Sequence, residues 1–408
     1  MTINIQRLLN RLNTLGKIGR DSQDRLARIA LTHADKEGRD QVYQWFESAE
    51  LDIKIDKIGN IHAIWSPESV QEEEAIMMGS HIDTVLNAGI YDGNYGVLAG
   101  LEVIQHLQEM GFQPKRPIVV SIFTNEEGAR YTPDMMGSLV YVGGLALNDA
   151  LKTRGNDGSI LGDELERIGY SGDHEVGFIP AKAYIELHIE QGPVLEKENI
   201  TVGAVENLQG ICWQQITING TANHAGTTPM SMRNDAGMAC ARVMTYMRDY
   251  VEQTCDRMVT TFGKLKFEPD IINVVPSQAC FTIDLRSPDE LKLKQAEAVL
   301  VDYLNLIAEE ESVEIGMTQM ARLEPVTFDL DLVQLIEKSA KELELTVCRM
   351  TSGAGHDAQM MARICPAAMI FVPSAKGISH NPREYTSAED LNAGVKVLLR
   401  TIKQLACH

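Results

Sequence analysis

The chain has no Cys-x-x-Cys pair. Its cysteines, Cys212, Cys240, Cys255, Cys280, Cys348, Cys365 and Cys407, are scattered and odd in number. That pattern argues against a disulfide framework and suits a reducing cytosol. Long apolar runs are also absent. The longest, such as Pro117–Phe123 and Ala367–Val372, have strand length and are too short to cross a bilayer. Met1 to Leu12 mix polar and apolar residues at helical spacing and lack a signal-peptide core, so the expected location is cytoplasmic. Positive charge is scarce: 37 Lys and Arg face 57 Asp and Glu, for a net charge of −20. This argues against nucleic acid and anionic membranes as partners. A small anionic substrate stays open, because recognition of one carboxylate is a local matter. No internal repeat, low-complexity tract or long linker is present. What is there is an ordinary globular composition, 44% hydrophobic and 23% charged, over 408 residues, a length that suggests two or three domains.

Residues 22–49 carry helical periodicity, and a hairpin is expected through Ile53–Ile55 and Ile61–Trp65, turning at Ile58-Gly59-Asn60. Ala75–Gly79, Ile118–Phe123 and Ala183–Ile189 read as buried strands, and Tyr95–Met110 carries an apolar helical stripe. Alternating strands and helices imply an α/β domain with a mostly parallel sheet and helices on both faces. From 211 to 323 the pattern changes. Ile211–Ile218, Met258–Phe267, Ala279–Leu285 and Val313–Met320 read as strands, with helices at Met230–Glu252 and Asp289–Glu310. That is the element order of a ferredoxin-like α+β domain. Alternation then resumes as helix 331–343, strand 345–349, helix 356–363, strand 367–372 and helix 387–405. The expectation is a discontinuous catalytic domain, 1–210 with 324–408, interrupted by a smaller domain at 211–323.

Five segments set a metal-liking side chain beside glycine or another turn former: Gly-Ser-His-Ile-Asp (79–83), Tyr-Asp-Gly-Asn (91–94), Asn-Glu-Glu-Gly (125–128), Glu-Leu-His-Ile-Glu (186–190) and Ile-Ser-His-Asn-Pro (378–382). They offer His81, Asp92, Glu127, His188 and His380. If Asp92 is shared, one ion gets two histidines and the other gets one histidine and Glu127. Zinc-like ions take such nitrogen and oxygen donors with positions left open for water. Glu126 remains over, beside a proposed ligand and suited to act as a base. Metal-activated water and a neighbouring carboxylate are the machinery of hydrolysis. Four of the five segments lie at or just beyond a strand end, where open α/β sheets place ligands.

Six pieces in this order, Gly-Ser-His-Ile-Asp-Thr, Phe-Thr-Asn-Glu-Glu-Gly-Ala-Arg, His-Ile-Glu-Gln-Gly-Pro, Asn-His-Ala-Gly-Thr-Thr-Pro-Met, Ser-Gly-Ala-Gly-His-Asp and Ser-His-Asn-Pro, resemble the metal-dependent aminoacylase and carboxypeptidase superfamily. Within it the chain looks like the hydantoinase/carbamoylase branch of N-carbamoyl-L-amino-acid hydrolases, allantoate amidohydrolases and β-ureidopropionases. The resemblance implies a metallo-exopeptidase-like catalytic domain, an inserted lid and dimerisation domain, and a homodimer. It places His81 and His188 on one metal, Glu127 and His380 on the other, Asp92 between them, and Glu126 as base. Two divalent ions per subunit follow, zinc first, with manganese, cobalt and nickel as alternatives. It further implies Gln191, Asn273, Arg286 and His356 as substrate contacts and His224 as a catalytic hydrogen-bond donor that polarises the scissile carbonyl or stabilises the developing oxyanion. Asp83 fits a role behind His81, orienting its imidazole, with a turn-stabilising aspartate as the alternative. For Arg286 the alternative is a surface arginine paired with Asp284 or Asp289. For His33, His62, His106, His174 and His408 a structural or surface role is preferred.

Allantoate hydrolases of this branch tend to carry arginine about eleven residues before the Asn-His-Ala-Gly histidine. Trp213 stands there, in Gly-Ile-Cys-Trp-Gln-Gln, which looks more like carbamoylases, although a plain core tryptophan is the competing reading. The expected activity is hydrolysis of an N-carbamoyl-L-amino acid to the amino acid, ammonia and carbon dioxide. Allantoate or β-ureidopropionate hydrolysis is the near alternative, aminoacylase or dipeptidase activity a more distant one, and a non-catalytic binding module the rival from another class.

Overall fold

The computed structural model of the protein describes residues 3–254 and 257–407, so His408 lies outside the described residues. The chain forms two compact units, one running to Glu206 and resuming at Phe328, the other Asn207–Thr327. Among the described residues no helix is long and apolar enough to cross a membrane.

A nine-stranded sheet carries the first unit. At its centre Ile118–Phe123, Ala75–His81, Ala181–Ile189 and Ala367–Val372 are neighbours, and each pair is parallel. Antiparallel strands flank them: Ile61–Trp65 on one side, Val202–Leu208 on the other. The central strands are buried on both faces. This is why they are nearly unbroken aliphatic runs instead of alternating ones. Because the four centre strands are parallel, their carboxyl ends share one edge of the sheet, and the loops leaving that edge carry the candidate donors.

Residues 22–32 do not continue the helical periodicity that begins at 33. The helix runs His33–Ser48, capped by the Thr32 side chain, which accepts from the Asp35 N–H. Asp24 and Leu31 adopt left-handed backbone angles that a helix excludes. Arg28, fully buried, holds this irregular segment in place by donating to the carbonyls of Leu15, Ile18 and Ile82 and to Asn94 Oδ1. The expected helix at 356–363 is one short piece, Asp357–Met361. Val202–Leu208 is a strand that the sequence pattern did not suggest.

In the second unit Gly210–Asn219, Gln278–Ser287 and Glu314–Leu323 form an antiparallel sheet with the short strand Leu265–Glu268, in the order Leu265–Glu268, Gln278–Ser287, Gly210–Asn219, Glu314–Leu323. Helices Ala236–Thr254 and Glu290–Glu310 lie between successive strands in the chain, which completes the β-α-β-β-α-β pattern. Met258–Phe267 is not one strand: it divides into Val259–Thr261 and Leu265–Glu268. The long helix starts at Ala236, later than the periodicity from Met230, whose first residues form a 3-10 turn. Cys212, Ile216, Ile218, Phe281, Ile283 and Leu285 alternate into a core with Val243, Met247, Leu293 and Leu300 from the helices. The other sheet face, Trp213 included, stays partly open.

Candidate metal centre

His81 closes the strand Ala75–His81, and His188 is the penultimate residue of Ala181–Ile189. Glu126 and Glu127 follow Phe123 by three and four residues. Asp92 precedes the helix Asn94–Glu109, and His380 lies in the loop beyond Ala367–Val372. Asp92 faces both sides. Its Oδ1 lies 3.1 Å from His188 Nε2 and 3.5 Å from His81 Nε2. Its Oδ2 lies 3.3 Å from His380 Nε2, which is itself 3.3 Å from Glu127 Oε2. The donor atoms of His81, Asp92 and His188 fall within 4.8 Å of one another, and so do those of Asp92, Glu127 and His380. Each set can hold one ion, with one carboxylate common to both. Glu126 Oε2 stands 3.4 Å from His81 Nε2 and belongs to neither set.

The imidazoles are presented ready for an ion. His81 Nδ1 lies 2.9 Å from the main-chain oxygen of Asp83, and His188 Nδ1 lies 2.8 Å from that of Ile189. Donation from Nδ1 to a carbonyl leaves Nε2 as the basic nitrogen. Gly93 must be glycine, since a Cβ there would come within 2.5 Å of the His81 ring. Asn125, Gln191 and His380 adopt left-handed backbone angles without being glycine, a strain that gathers at functional sites.

Asp83 works differently from the sequence expectation. Its carboxylate is 3.9 Å from His81 Nδ1, beyond hydrogen-bond range, and the ring is oriented by the Asp83 carbonyl instead. The carboxylate accepts the backbone N–H of Glu126 at 3.2 Å and of Glu127 at 3.3 Å. It therefore shapes the loop that carries both glutamates. Such a contact spans more than 40 positions of chain, and sequence spacing gives no sign of it.

Charge supplies a second test of whether these residues fit a cation. The ion-pair partners of Asp92, Glu126 and Glu127 are histidines. Burial pushes the Glu126 carboxyl well above the carboxylate range, with Asp357, Glu127 and Asp92 adding to it against His81. Burial and Asp92 push Glu127 up to about 8. The Asp92 hydrogen bond raises His380 to about 9, against its partial burial. Burial would lift the Asp92 carboxyl, but hydrogen bonds from His188, His380 and His81 outweigh it and hold it well below its usual value. Glu127 and His380 therefore keep protons at neutral pH beside an ionised Asp92, and a divalent cation relieves such a buried cluster by displacing them. The residues fit metal ions.

Around this centre, Gln191 donates from Nε2 to Asp92 Oδ2 at 2.8 Å, and its Oε1 is buried without a partner. His356 packs its ring 4.6 Å from that of His188, with Nε2 buried and unpartnered. Burial and the neighbouring His188 hold it well below the usual histidine value, so it is neutral. The other histidines of this unit do different things. His33 is exposed beside Glu37, His62 is buried against Ser121, His106 is buried in the helix Asn94–Glu109, and His174 stacks on Phe178.

His224, Asn273 and Arg286 belong to the second unit. His224 and Val274 pair across a two-stranded ribbon, Asn273 O accepts the Ala225 N–H, and the His224 Nδ1 accepts from Gly226 and Thr227. Arg286 forms an ion pair with Asp284 at 3.0 Å. Trp213 lies directly across from Asp284 and is 40% exposed. The plain-core reading of Trp213 is therefore overturned: the helices cover the other face of the sheet.

Two residues that the sequence reading passed over also serve the centre. Arg28 bonds Ile82 O, next to His81, and Asn94, two residues after Asp92. Glu384 accepts the N–H of Tyr91 and of Asp92. Glu384 had one available signal, its position four residues after His380 in Ser-His-Asn-Pro-Arg-Glu; Arg28 had none.

A parallel-centred α/β sheet with candidate metal-donor sets at its carboxyl edge fits the class of metal-dependent hydrolases. Comparison with known proteins is specific. The model of peptidase family M20/M25/M40 matches residues 77–404. The N-carbamoyl-L-amino-acid amidohydrolase of Rhizobium meliloti is 38% identical over 404 residues, 99% of this chain and 97% of that one. The allantoate amidohydrolase of Bacillus subtilis is 34% identical, covering 96% of this chain and 95% of its own. A crystal structure of a hydantoinase/carbamoylase family amidase from Burkholderia multivorans superimposes with a TM-score of 0.96 at 38% identity, covering 100% of this chain and 99% of that one. The chain belongs to peptidase family M20/M25/M40, in its hydantoinase/carbamoylase branch.

Proposed function

We propose that this enzyme hydrolyses the ureido C–N bond of N-carbamoyl-L-amino acids, with two divalent ions held by His81, His188, Asp92, Glu127 and His380. The observation that carries the reading is the split of Asp92, one oxygen toward each donor set, with Glu126 at 3.4 Å from His81 and outside both. Bound ions supply Lewis acidity to the ureido carbonyl and lower the pKa of a water from ~15.7 toward ~7. Glu126, as the carboxylate, takes the water's proton and passes it to the departing amino-acid nitrogen. That C–N bond breaks, and the carbamate left over falls to ammonia and carbon dioxide. Neutral His356 and Gln191 offer unpartnered polar atoms to the substrate, and the Arg286 fork suits its carboxylate. Zinc suits two histidines and a carboxylate, and manganese, cobalt and nickel are accepted by similar donors. The six described cysteines are free, which suits the reducing cytoplasm where we place the enzyme.

The second unit also supports a homodimer. Arg286 stands eight positions along its strand from Gln278, about 26 Å at strand rise. The His224–Asn273 ribbon joins the sheet at its Gln278 end, Val275 preceding Gln278 by three residues and Asn223 following Asn219 by four. We read that separation as favouring two copies as the source of the two contacts to one small substrate. In our reading Arg286 and the His224–Asn273 pair serve the same site from different copies, joined through the exposed edge strand Glu314–Leu323. Mixing Arg286→Ala with His224→Ala, each inactive alone, then restores up to roughly a quarter of wild-type sites by random pairing. No recovery after co-refolding refutes the exchange.

Ammonia release from N-carbamoyl amino acids, allantoate, β-ureidopropionate, N-acetyl amino acids and dipeptides, with each metal added in turn, tests the substrate. Trp213 beside the Asp284–Arg286 pair, in place of an arginine, favours the carbamoyl acids. A preference for allantoate would move the chain to the sibling activity, and no turnover on any substrate would leave a binding module.

A further inference from the structure

Glu384 is a buried carboxylate, 5% exposed, that belongs to neither donor set. Its Oε1 accepts the N–H of Tyr91 at 3.0 Å and of Asp92 at 3.3 Å. Its Oε2 lies 3.0 Å from the Ser379 hydroxyl, and that hydroxyl is 3.1 Å from Asp92 Oδ2. The Glu384 N–H closes the loop onto Asn381 O. Glu384 thus ties the loop of the shared ligand to the loop of His380, across 293 positions of chain. Gly89 makes room for it: a Cβ there would meet the Glu384 side chain at 2.2–2.5 Å.

A second carboxylate buried close to Asp92 is costly, since like charges in a low dielectric repel. An amide would satisfy the two backbone N–H groups at lower cost. Only the third contact distinguishes a carboxylate. Ser379 has one hydroxyl proton and two carboxylate oxygens within reach. Asp92 Oδ2 has two lone pairs, one already accepting from Gln191 at 2.8 Å. If Ser379 donated to Oδ2 as well, no lone pair would remain for an ion.

We propose that Glu384 is a positioning residue that draws the Ser379 proton to itself, leaving one Asp92 Oδ2 lone pair open to the metal shared with Glu127 and His380. The inference rests on the two-metal reading above. In Glu384→Gln the side-chain oxygen still serves the backbone amides, but the new NH2 group donates to Ser379 and turns its proton onto Asp92.

The test is chelator competition on metal-free full-length protein reloaded with Zn²⁺ or Mn²⁺, with circular dichroism to verify folding. In Glu384→Gln the affinity for one ion falls 10- to 100-fold, the usual cost of losing a supporting partner, while the other ion binds as before. Adding Ser379→Ala to Glu384→Gln removes the competing proton and restores most of that loss, which a merely structural role would not allow. Gly89→Ala displaces the same carboxylate and weakens the same ion, so the proposal stays testable if Glu384→Gln does not fold. Wild-type protein that binds no divalent ion overturns the two-metal reading itself. Wild-type affinity in Glu384→Gln, or no restoration by Ser379→Ala, overturns the role of Glu384 and leaves the two-metal reading standing.

Discussion

Asp83→Asn exchanges one carboxylate oxygen for an amide group while keeping the side-chain size and the main-chain carbonyl that orients His81. In the wild type the two carboxylate oxygens each accept one backbone N–H, from Glu126 at 3.2 Å and Glu127 at 3.3 Å, in a site only 2% exposed. Asparagine retains one acceptor and sets its NH2 against the other N–H. One charge-assisted hydrogen bond is lost and one buried donor is left unpaired, together about 2–4 kcal/mol. At 1.36 kcal/mol per tenfold, a loss falling wholly on the placement of Glu126 lowers kcat/KM roughly 30- to 900-fold. The metal readout separates the causes. The 2.9 Å contact from His81 Nδ1 to the Asp83 carbonyl is untouched, so on the proposed two-ion site an ion held by His81 and His188 should stay. An ion held by Glu127 and His380 should weaken, because the Glu127 backbone moves. Anomalous diffraction from crystals of the variant soaked in limiting Zn²⁺ shows which position empties. If the His81 position empties first, the carboxylate orients the imidazole despite its 3.9 Å separation, and our account of Asp83 is wrong.

Glu126→Gln should keep both ions by elemental analysis and lose most turnover, whereas Glu127→Gln should lose one ion; the opposite result reverses their roles. In metal-free protein, His380 is raised from 6.5 to about 9 and Glu127 from 4.5 to about 8. Stability from a raised pKa is present below the unfolded value and disappears as pH climbs through the folded one. Thermal melts should therefore show the metal-free protein losing stability between about pH 4.5 and 9, Glu127 acting from 4.5 to about 8 and His380 from 6.5 to about 9, while metal affinity rises over that window as both protons leave; a flat profile for both counts against the cluster as described. Arg28→Met orphans three buried acceptors and the part-buried Ile18 carbonyl and should cost about 3–5 kcal/mol in urea unfolding of the metal-free protein; a loss under ~1 kcal/mol contradicts the stapling role.

The alternation of buried aliphatic strands with amphipathic helices was legible because burial on both faces of a parallel sheet leaves a direct mark in composition. Elements set by long-range contacts were not legible. The segment 22–32 has helical periodicity and yet folds as a loop, because Arg28 finds carbonyls up to 54 positions away to satisfy. Val202–Leu208 gains its strand character from a neighbour, Ala367–Val372, that the chain reaches much later.

At the centre, the sequence by itself determined the donor types and their placement at strand ends. A histidine or carboxylate beside a turn-forming glycine is a local pattern, readable within five residues. Only the tertiary structure decided that Asp92 offers one oxygen to each donor set, and that the Asp83 carboxylate shapes the 126–127 loop while its carbonyl holds His81. It alone placed Glu384 and Ser379 behind Asp92. Hydrogen-bond direction depends on where loops meet, and loops meeting across 43 to 293 positions leave no periodicity in the chain that joins them.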